Sequence, residues 1–164
     1  NLKNGRFTLI DESYNANPTS IIAAIALLAG SAKGARGRRI AVLGDMLELC
    51  KTSEKLHRSL KQPLEAGGID LVFLVGEQMR GLADELDAEM LAGHFDTAAE
   101  LEAPLLAALR PGDVVMAKAS LGTKFTGLVE ALIKACTPAA GKSGGEREND
   151  WSAGYENVTD RATG

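Results

Sequence analysis

A dense run of polar residues, "DESYNANP" (11–18), stands between the first apolar segment of the chain and the first helical pattern. A connection between a strand and a helix needs only two to six residues and one capping side chain. The run therefore has more hydrogen-bonding capacity than a turn uses, and we predict that it contacts a ligand. Its chemistry-bearing side chains are Asp11, Glu12, Tyr14, Asn15 and Asn17.

Charged side chains also follow the other apolar runs. Asp45 comes directly after "RIAVLG", and Glu77 comes directly after "DLVFLVG". Lys118 ends "DVVMAK", and Ser120 lies two residues beyond it. In an open parallel sheet, ligands bind outside the carboxyl ends of the strands, where helix N-termini present free N–H groups. We therefore expect these side chains to converge on one edge, as suits a polar, charged ligand.

Structural roles compete with ligand binding at two of these positions, Asn17 and Asp45. Asn17 precedes Pro18, an arrangement typical of a helix N-cap followed by proline at the first helical position. Asp45 precedes "MLEL" and suits a cap of a short helical turn equally well. Lys118 is harder to explain by structure alone, because a lysine that ends a buried strand needs an anion facing it.

The elements that must position these residues are short, continuous apolar runs, which predict buried parallel strands. Helical patterns lie between them, among them residues 18–32 and an apolar stripe from Phe125 to Cys136. This alternation predicts an α/β, Rossmann-like domain with a mostly parallel sheet of five to six strands and helices on both faces. The predicted strands are 6–10, 39–44, 70–76 and 113–118, with "GHFD" at 93–96 as a fifth, shorter candidate.

Caps and prolines predict where several helices begin or end. Thr97 and Glu100 form a capping box that opens one helix. Pro63 and Pro104 fall where helical patterns continue, so we expect kinks or early ends at both positions.

The composition changes from Pro138 onward, where Gly, Ser and charged residues follow one another without periodicity. We predict a folded domain over 1–137 and a disordered tail over 138–164. The tail contains Trp151 and Tyr155, so a short partner-binding motif is the alternative to a plain flexible tail. The chain begins with Asn1 instead of Met, close to a predicted strand, so we expect a piece of a longer polypeptide.

Composition also argues against several classes of protein. The net charge of −4 draws the chain neither to nucleic acid nor to an anionic membrane, and the basic run 33–39 is predicted to be a solvated loop. No apolar run approaches the roughly 18 residues of a membrane span, so we expect a soluble protein. Cys50, Cys136 and His57 lack metal-ligand spacing, so no metal site is predicted. The cysteines are expected to be reduced thiols in a cytoplasmic protein.

Two nucleotide-binding motifs are missing from the sequence. No GxGxxG follows the first strand, which argues against a dinucleotide dehydrogenase. The tail contains "AAGKS", but a P-loop needs glycine where Cys136 stands, and no strand leads into it. Any nucleotide phosphates would therefore be held by parts of a longer protein.

Four segments carry a family resemblance: "DESYNANPTSIIAAI", "IAVLGDMLEL", "SEKLH" and "KASLGTKFTGLVEAL". In order and spacing, across residues 6–136, they closely resemble the C-terminal domain of the Mur ligases. Within that family, the first segment is similar to the bacterial members that add D-alanyl-D-alanine to UDP-N-acetylmuramoyl-tripeptide in peptidoglycan synthesis.

The resemblance implies the third domain of an ATP-dependent amide ligase. An N-terminal domain would hold the UDP-muramoyl peptide, and a central domain would hold the P-loop, Mg²⁺ and a carbamylated lysine. ATP would phosphorylate the terminal carboxylate of the peptide, and the amine of D-alanyl-D-alanine would displace phosphate from the acyl phosphate. The third domain would close over ATP and position the dipeptide, and it would be inactive alone.

The resemblance also implies roles for individual residues. Glu12 would bind the ribose hydroxyls, and Asp45 and Lys118 would act in catalysis. Ser120 would bind the dipeptide or face the reacting phosphate, and a lysine there would offset charge that develops on the acyl phosphate. The implied nucleotide-binding residues are Asp11, Glu12, Tyr14, Asn15 and Asn17, the last three bordering the adenine and the interdomain crevice.

Three residues depart from the usual family pattern: Glu12 stands in place of Asp, and Cys50 and Ala119 each stand in place of glycine. The longer side chain of Glu12 must shift the ribose or leave that contact to Asp11. Cys50 argues against a left-handed turn, and the Ala119 methyl group restricts close approach to the backbone. The alternative functions are another Mur-superfamily ligase and a non-catalytic binding module.

Overall fold

The protein folds around one parallel β-sheet. The structure is a computed structural model that describes residues 7–13, 16–46, 53–119 and 125–136. Neighbouring strands are all parallel and stand in the order β1-β5-β2-β3-β4. The predicted α/β fold is confirmed. The strands are β1 Thr8–Glu12, β2 Arg39–Gly44, β3 Leu71–Val75, β4 Leu91–Phe95 and β5 Val114–Lys118.

Helices cover both faces of the sheet, as predicted, because each buried strand presents apolar side chains alternately to either side. One core cluster joins Ile10 and Met116 to residues of α1–α4, and the other joins Leu9 and Val115 to residues of α5 and α6. Within the described ranges, no helix has the length and apolarity needed to cross a membrane. The helices are α1 Pro18–Gly30, α2 Ser53–Arg58, α3 Lys61–Ala66, α4 Arg80–Glu85, α5 Ala98–Ala108 and α6 Phe125–Cys136, with a 3-10 helix at Glu77–Met79.

The two prolines have different effects on their helices. The segment with Pro63 divides into α2 and α3, and Pro63 lies in the first turn of α3, where its missing N–H is tolerated. The early end expected at Pro104 is wrong, because α5 continues to Ala108. Pro104 is exposed, while Leu101 and Leu105 of the same helix are fully buried and hold it against the sheet.

The capping box predicted at the start of α5 forms only in part. The Thr97 side chain accepts a hydrogen bond from the backbone N–H of Glu100, as expected. The Glu100 carboxylate accepts from the backbone N–H of Asp96 instead of that of Thr97. The Glu100 carboxylate therefore binds the backbone one residue further upstream than it does in a standard capping box.

A buried ion pair stabilises the end of the sheet at which β5 begins. Asp113 is fully buried and accepts from the backbone N–H groups of Arg38 and Arg110 at 2.9 and 2.8 Å. The Arg38 guanidinium also donates to both Asp113 oxygens, at 3.2 and 2.7 Å. The prediction of a wholly solvated basic loop is wrong at Arg38, because the register of β2 and β5 places it against this carboxylate.

Candidate functional site

The carboxyl ends of β1 and β5 bring Glu12 and Lys118 together. The two residues are direct partners in the parallel register, and Lys118 Nζ lies 3.4 Å from Glu12 Oε2. The Lys118 side chain is 6% exposed and that of Glu12 is 27% exposed. The anion predicted to face this strand-ending lysine is therefore present within the domain itself.

Side-chain alternation places this pair on the α1 side of the sheet. Ile10 and Met116 each lie two residues before a member of the pair, and both belong to the core cluster that includes α1. Residues two apart along a strand share a face. Glu12 and Lys118 therefore lie above the α1 core, at the edge where that helix begins.

Asp11 shapes the turn that follows β1. Its Oδ1 atom accepts from the backbone N–H of Ser13 at 3.0 Å and from the Ser13 hydroxyl at 2.6 Å. This is the pattern of an aspartate-stabilised turn. Asp11 is buried, and it lies on the opposite face of β1 from Glu12.

Asn17 caps α1. Its Oδ1 atom accepts from the backbone N–H of Ser20 at 2.8 Å, and the Ser20 hydroxyl accepts from the backbone N–H of Asn17 at 3.0 Å. This reciprocal box accounts for the Asn17-Pro18 signal in structural terms. Because the box uses only Oδ1 of the carboxamide, the NH₂ group of the exposed Asn17 side chain is still suited to a ligand contact.

Asp45, directly after β2, holds the turn that follows the neighbouring strand β3. It is 8% exposed, and its two oxygens accept from the backbone N–H groups of Gln78 at 3.3 Å and Met79 at 3.1 Å. Burial raises the pKa of the Asp45 carboxyl above its ordinary value, and the two hydrogen bonds and the nearby His57 and His94 offset that effect only in part. The carboxylate thus caps the 3-10 helix.

Two histidines and a glycine complete the surroundings of Asp45. His57 is fully buried, and its Nε2 atom accepts from the backbone N–H of Met46 at 2.9 Å. His94 Nε2 lies 2.6 Å from the carbonyl oxygen of Gly76. Gly76 has φ +107°, and a Cβ atom there would lie 2.3 Å from the Asp45 carboxyl carbon. From the sequence, His57 was considered only as a metal ligand, and its buried contact with Met46 was missed. The glycine that ends "DLVFLVG" was the one sequence signal for the tight turn beside Asp45.

The predicted convergence on one edge holds at the level of the strands. Lys118 pairs with Leu43 of β2, two residues before Asp45. The side chains nevertheless divide into two groups with different partners. Lys118 contacts Glu12, while Asp45 is committed to the turn after β3.

The predicted site residues Tyr14, Asn15 and Ser120 lie outside the described residues, as does Cys50. The roles assigned to them stay predictions. Ala119 is described and fully buried, and a Cβ atom on Gly44 would approach its methyl group to 2.7 Å. The Ala119 methyl group therefore packs inside the domain against β2.

An open cleft of about 470 Å³ lies between α2, the 3-10 helix and α4, lined mainly by charged side chains. Arg58 in this cleft already forms ion pairs with Glu54 at 2.6 Å and Glu85 at 2.7 Å. Gln78 connects the cleft to the Asp45 turn, but Lys118 is not part of its wall. Across the described part of the chain, no group of three or more His, Cys, Asp or Glu residues could hold a metal ion.

Comparison with known proteins gives a family match and a set of longer relatives. Residues 2–121 match the family described as Mur ligase, glutamate ligase domain. The UDP-N-acetylmuramoyl-tripeptide–D-alanyl-D-alanine ligase of Bacillus subtilis (strain 168) is 32% identical over 131 residues, which cover 77% of this chain and 28% of the relative. The enzyme of the same name from Escherichia coli (strain K12) is 35% identical over 126 residues, covering 76% and 26%. The chain thus spans about a quarter of the length of these relatives.

Solved structures share the fold. A MurF ligase from Thermotoga maritima in complex with ADP superposes with a TM-score of 0.65 at 23% identity, covering 83% of this chain and 30% of that one. A MurF structure from Acinetobacter baumannii superposes with a TM-score of 0.61 at 28% identity, covering 74% and 26%.

Proposed function

This chain belongs to the Mur ligase family, whose glutamate ligase domain it matches. From that premise we propose that it is the C-terminal domain of a UDP-N-acetylmuramoyl-tripeptide–D-alanyl-D-alanine ligase. The names of the relatives and the "DESYNANP" run support this assignment. Because the chain spans about a quarter of those relatives, the activity would belong to the whole protein. The N-terminal and central domains of that protein would be the partners of this one.

The proposed reaction joins two peptides in peptidoglycan precursor synthesis. The terminal carboxylate of the tripeptide takes the γ-phosphoryl group of ATP, which releases ADP and forms an acyl phosphate. The amine of D-alanyl-D-alanine then attacks the acyl carbon, and the tetrahedral intermediate expels phosphate to leave an amide bond. Mg²⁺ and the P-loop, both in the central domain, would neutralise charge on the transferring phosphoryl group.

The buried ammonium of Lys118 is the observation that carries this proposal. Lys118 ends a strand that is paired on both sides, so its backbone is held in place before any ligand arrives. An ammonium has three N–H donors, and within the described residues one of them is directed at Glu12. The other two suit the oxygens of the acyl phosphate or of the tetrahedral intermediate. A preorganised cation in a site of low dielectric constant stabilises charge that develops there.

Asp45 has a different proposed role at the same edge. Both of its oxygens accept backbone N–H groups, so its geometry favours holding the turn after β3 over proton transfer to a substrate. A catalytic role would require the carboxylate to leave two hydrogen bonds in a buried place. We therefore assign Asp45 to positioning.

The polar run after β1 would border the adenosine part of ATP. The carboxyl end of β1 lies beside Lys118, so a nucleotide placed there would direct its phosphates toward the reacting edge. The exposed NH₂ group of Asn17 suits a contact with a ring nitrogen or a hydroxyl group. A contact between Glu12 and the ribose would have to use the carboxylate oxygen that does not face Lys118, Oε1, or break the ion pair. The proposed nucleotide set is Asp11, Tyr14, Asn15 and Asn17, and the ion pair with Lys118 sets Glu12 apart from it.

The test is ligation by the complete gene product. UDP-N-acetylmuramoyl-tripeptide, ATP and D-alanyl-D-alanine are supplied together, and the product is identified by mass spectrometry with ADP and phosphate released in equal amounts. Single amino acids replace the dipeptide in parallel assays. Ligation of the dipeptide supports the proposal, ligation of an amino acid alone indicates another Mur-type ligase, and no ligation of any acceptor indicates a binding module.

A matched pair of lysine variants tests the site. Lys118→Ala is expected to lower kcat by about a hundredfold, the size of effect found when one charge-stabilising donor is removed. Lys61→Ala removes a half-buried lysine of α3 that pairs with Glu65, and it should keep its activity. Equal activity of the two variants would show that Lys118 is structural.

A further inference from the structure

The contact between Glu12 and Lys118 follows from the register of the sheet, because the two residues are opposite partners on neighbouring parallel strands. Their side chains leave the same face, and no loop motion is needed to bring them together. β5 is held on its other side by β2, so the lysine backbone is rigid. The geometry favours a permanent ion pair.

The two side chains of the pair differ in exposure. The Lys118 side chain is 6% exposed and that of Glu12 is 27% exposed, so Lys118 is the more deeply buried member. A ligand oxygen that reaches Nζ must share the ammonium with Glu12 or displace it.

Two other acidic residues at this edge, Asp11 and Asp45, are engaged by groups other than Lys118. Asp11 is engaged by Ser13 on the opposite face of the sheet. Asp45 is engaged by the backbone of the turn after β3. A buried ammonium without a partner is strongly unfavourable, so among these carboxylates Glu12 is the one that holds the Lys118 side chain in place.

From these contacts we infer that Glu12 is a positioning residue that holds the Lys118 ammonium at the reacting edge, and that it is not a ribose ligand. This inference rests on the proposed function for the reaction that Lys118 serves. A positioning residue and a ribose ligand differ in what their loss changes. The first lowers turnover at saturating ATP, whereas the second weakens ATP binding and selection of the ribose hydroxyls.

A double-mutant cycle in the complete gene product separates these roles. Glu12→Gln keeps the size of the side chain and removes its charge, so it should lower kcat by about tenfold to a hundredfold, as displacement of a reacting group does. KM for ATP and the preference for ATP over 2′-deoxy-ATP should stay unchanged. In a Lys118→Ala background the same change should have no further effect on kcat.

Two variants sharpen the comparison. Glu12→Asp retains the charge with a shorter reach, so it should recover part of the lost kcat. Glu65→Gln removes a carboxylate from the ion pair on α3 and should change nothing. A raised KM for ATP with normal kcat in Glu12→Gln, lost discrimination against 2′-deoxy-ATP, or additive effects in the double variant would overturn the inference.

A second measurement does not depend on ligase activity. Trace acetylation of the complete protein, read by peptide mass spectrometry, reports how accessible each lysine is. Glu12→Gln should raise acetylation of Lys118 several-fold and leave Lys61 unchanged, because Nζ loses the ion pair that holds it in place. Unchanged acetylation of Lys118 overturns the inference even if ligation is normal. Raised acetylation without any ligation would support the ion pair and reject the proposed reaction instead.

Discussion

The backbone N–H of Met79 donates to Asp45 Oδ1 over 3.1 Å, so a side chain at the end of β2 fixes the turn that follows β3. Gln78 donates to the other oxygen of the same carboxylate. Two adjacent strands are therefore coupled at the edge where the proposed ligand binds. The shape of that edge depends on contacts between distant segments more than on the sequence of any one loop.

Loss of this carboxylate should destabilise the domain. Asp45→Ala leaves two backbone N–H groups without their acceptors, and leaving buried donors unsatisfied costs about 1–3 kcal/mol. Urea unfolding measures the change. Asp87→Ala, at an exposed position before β4, is the matched control and should shift the midpoint little. Equal destabilisation by the two variants would contradict the capping role of Asp45.

The free energy of unfolding should depend on pH through the buried Asp45 carboxyl. Its folded-state pKa is raised above the ordinary value of 3.8 by burial. A raised pKa means that the folded state binds the proton more tightly, so this contribution to stability is complete below 3.8 and is lost as pH rises through the folded-state pKa. The free energy of unfolding of the wild type, minus that of Asp45→Asn, should therefore fall as pH increases above 3.8. A difference that rises with pH would show the opposite shift.

Gly76 should not tolerate a side chain. Its φ of +107° is unfavourable for other residues, and a Cβ atom would collide with the Asp45 carboxylate. Gly76→Ala should cost about 2 kcal/mol or more, within the range of strained backbone positions. Gly127→Ala, in α6 with open space around the added methyl group, should instead stabilise by roughly 0.5–1 kcal/mol. Chemical unfolding of both variants provides the comparison.

The cap of α1 and the proposed nucleotide contact of Asn17 can be separated. Asn17→Ala should lose about 1 kcal/mol, because the Ser20 N–H loses its acceptor. Asn17→Ser keeps a capping oxygen and should retain stability, but it lacks the carboxamide NH₂. A raised KM for ATP in the stable serine variant of the complete gene product would support nucleotide contact. Normal kinetics in that variant would leave Asn17 as a cap alone.

The buried carboxylate at the start of β5 should matter more than surface ion pairs. Asp113→Ala removes the partner of the Arg38 guanidinium and of two backbone N–H groups, and breaking such a buried pair costs about 3–5 kcal/mol. Glu65→Gln on α3 should cost about 0–1 kcal/mol. Similar losses in urea unfolding would contradict the burial argument.

The sequence was sufficient for the strands and insufficient for the contacts between them. Continuous apolar runs predicted β1, β2, β3 and β5 within two residues, because buried parallel strands require that composition. The partly buried β4 was predicted only from the shorter candidate "GHFD". Strand order is not encoded in such runs, so the pairing of Glu12 with Lys118 across 106 residues was not predicted. The ties from Asp45 to the turn after β3 and from His57 to Met46 were missed for the same reason. Each joins a side chain to a backbone group on a different segment.

The last of the described strands lies between the first two, in the order β1-β5-β2. Until β5 is made, β1 has no neighbour in the sheet, and the partners Glu12 and Lys118 cannot meet. Pairing that spans most of the chain closes a long loop, which makes folding slow compared with a protein of local contacts. The emerging domain therefore exposes the unpaired edges of β1 and β2 during synthesis. The reacting edge is completed only when β5 inserts between them.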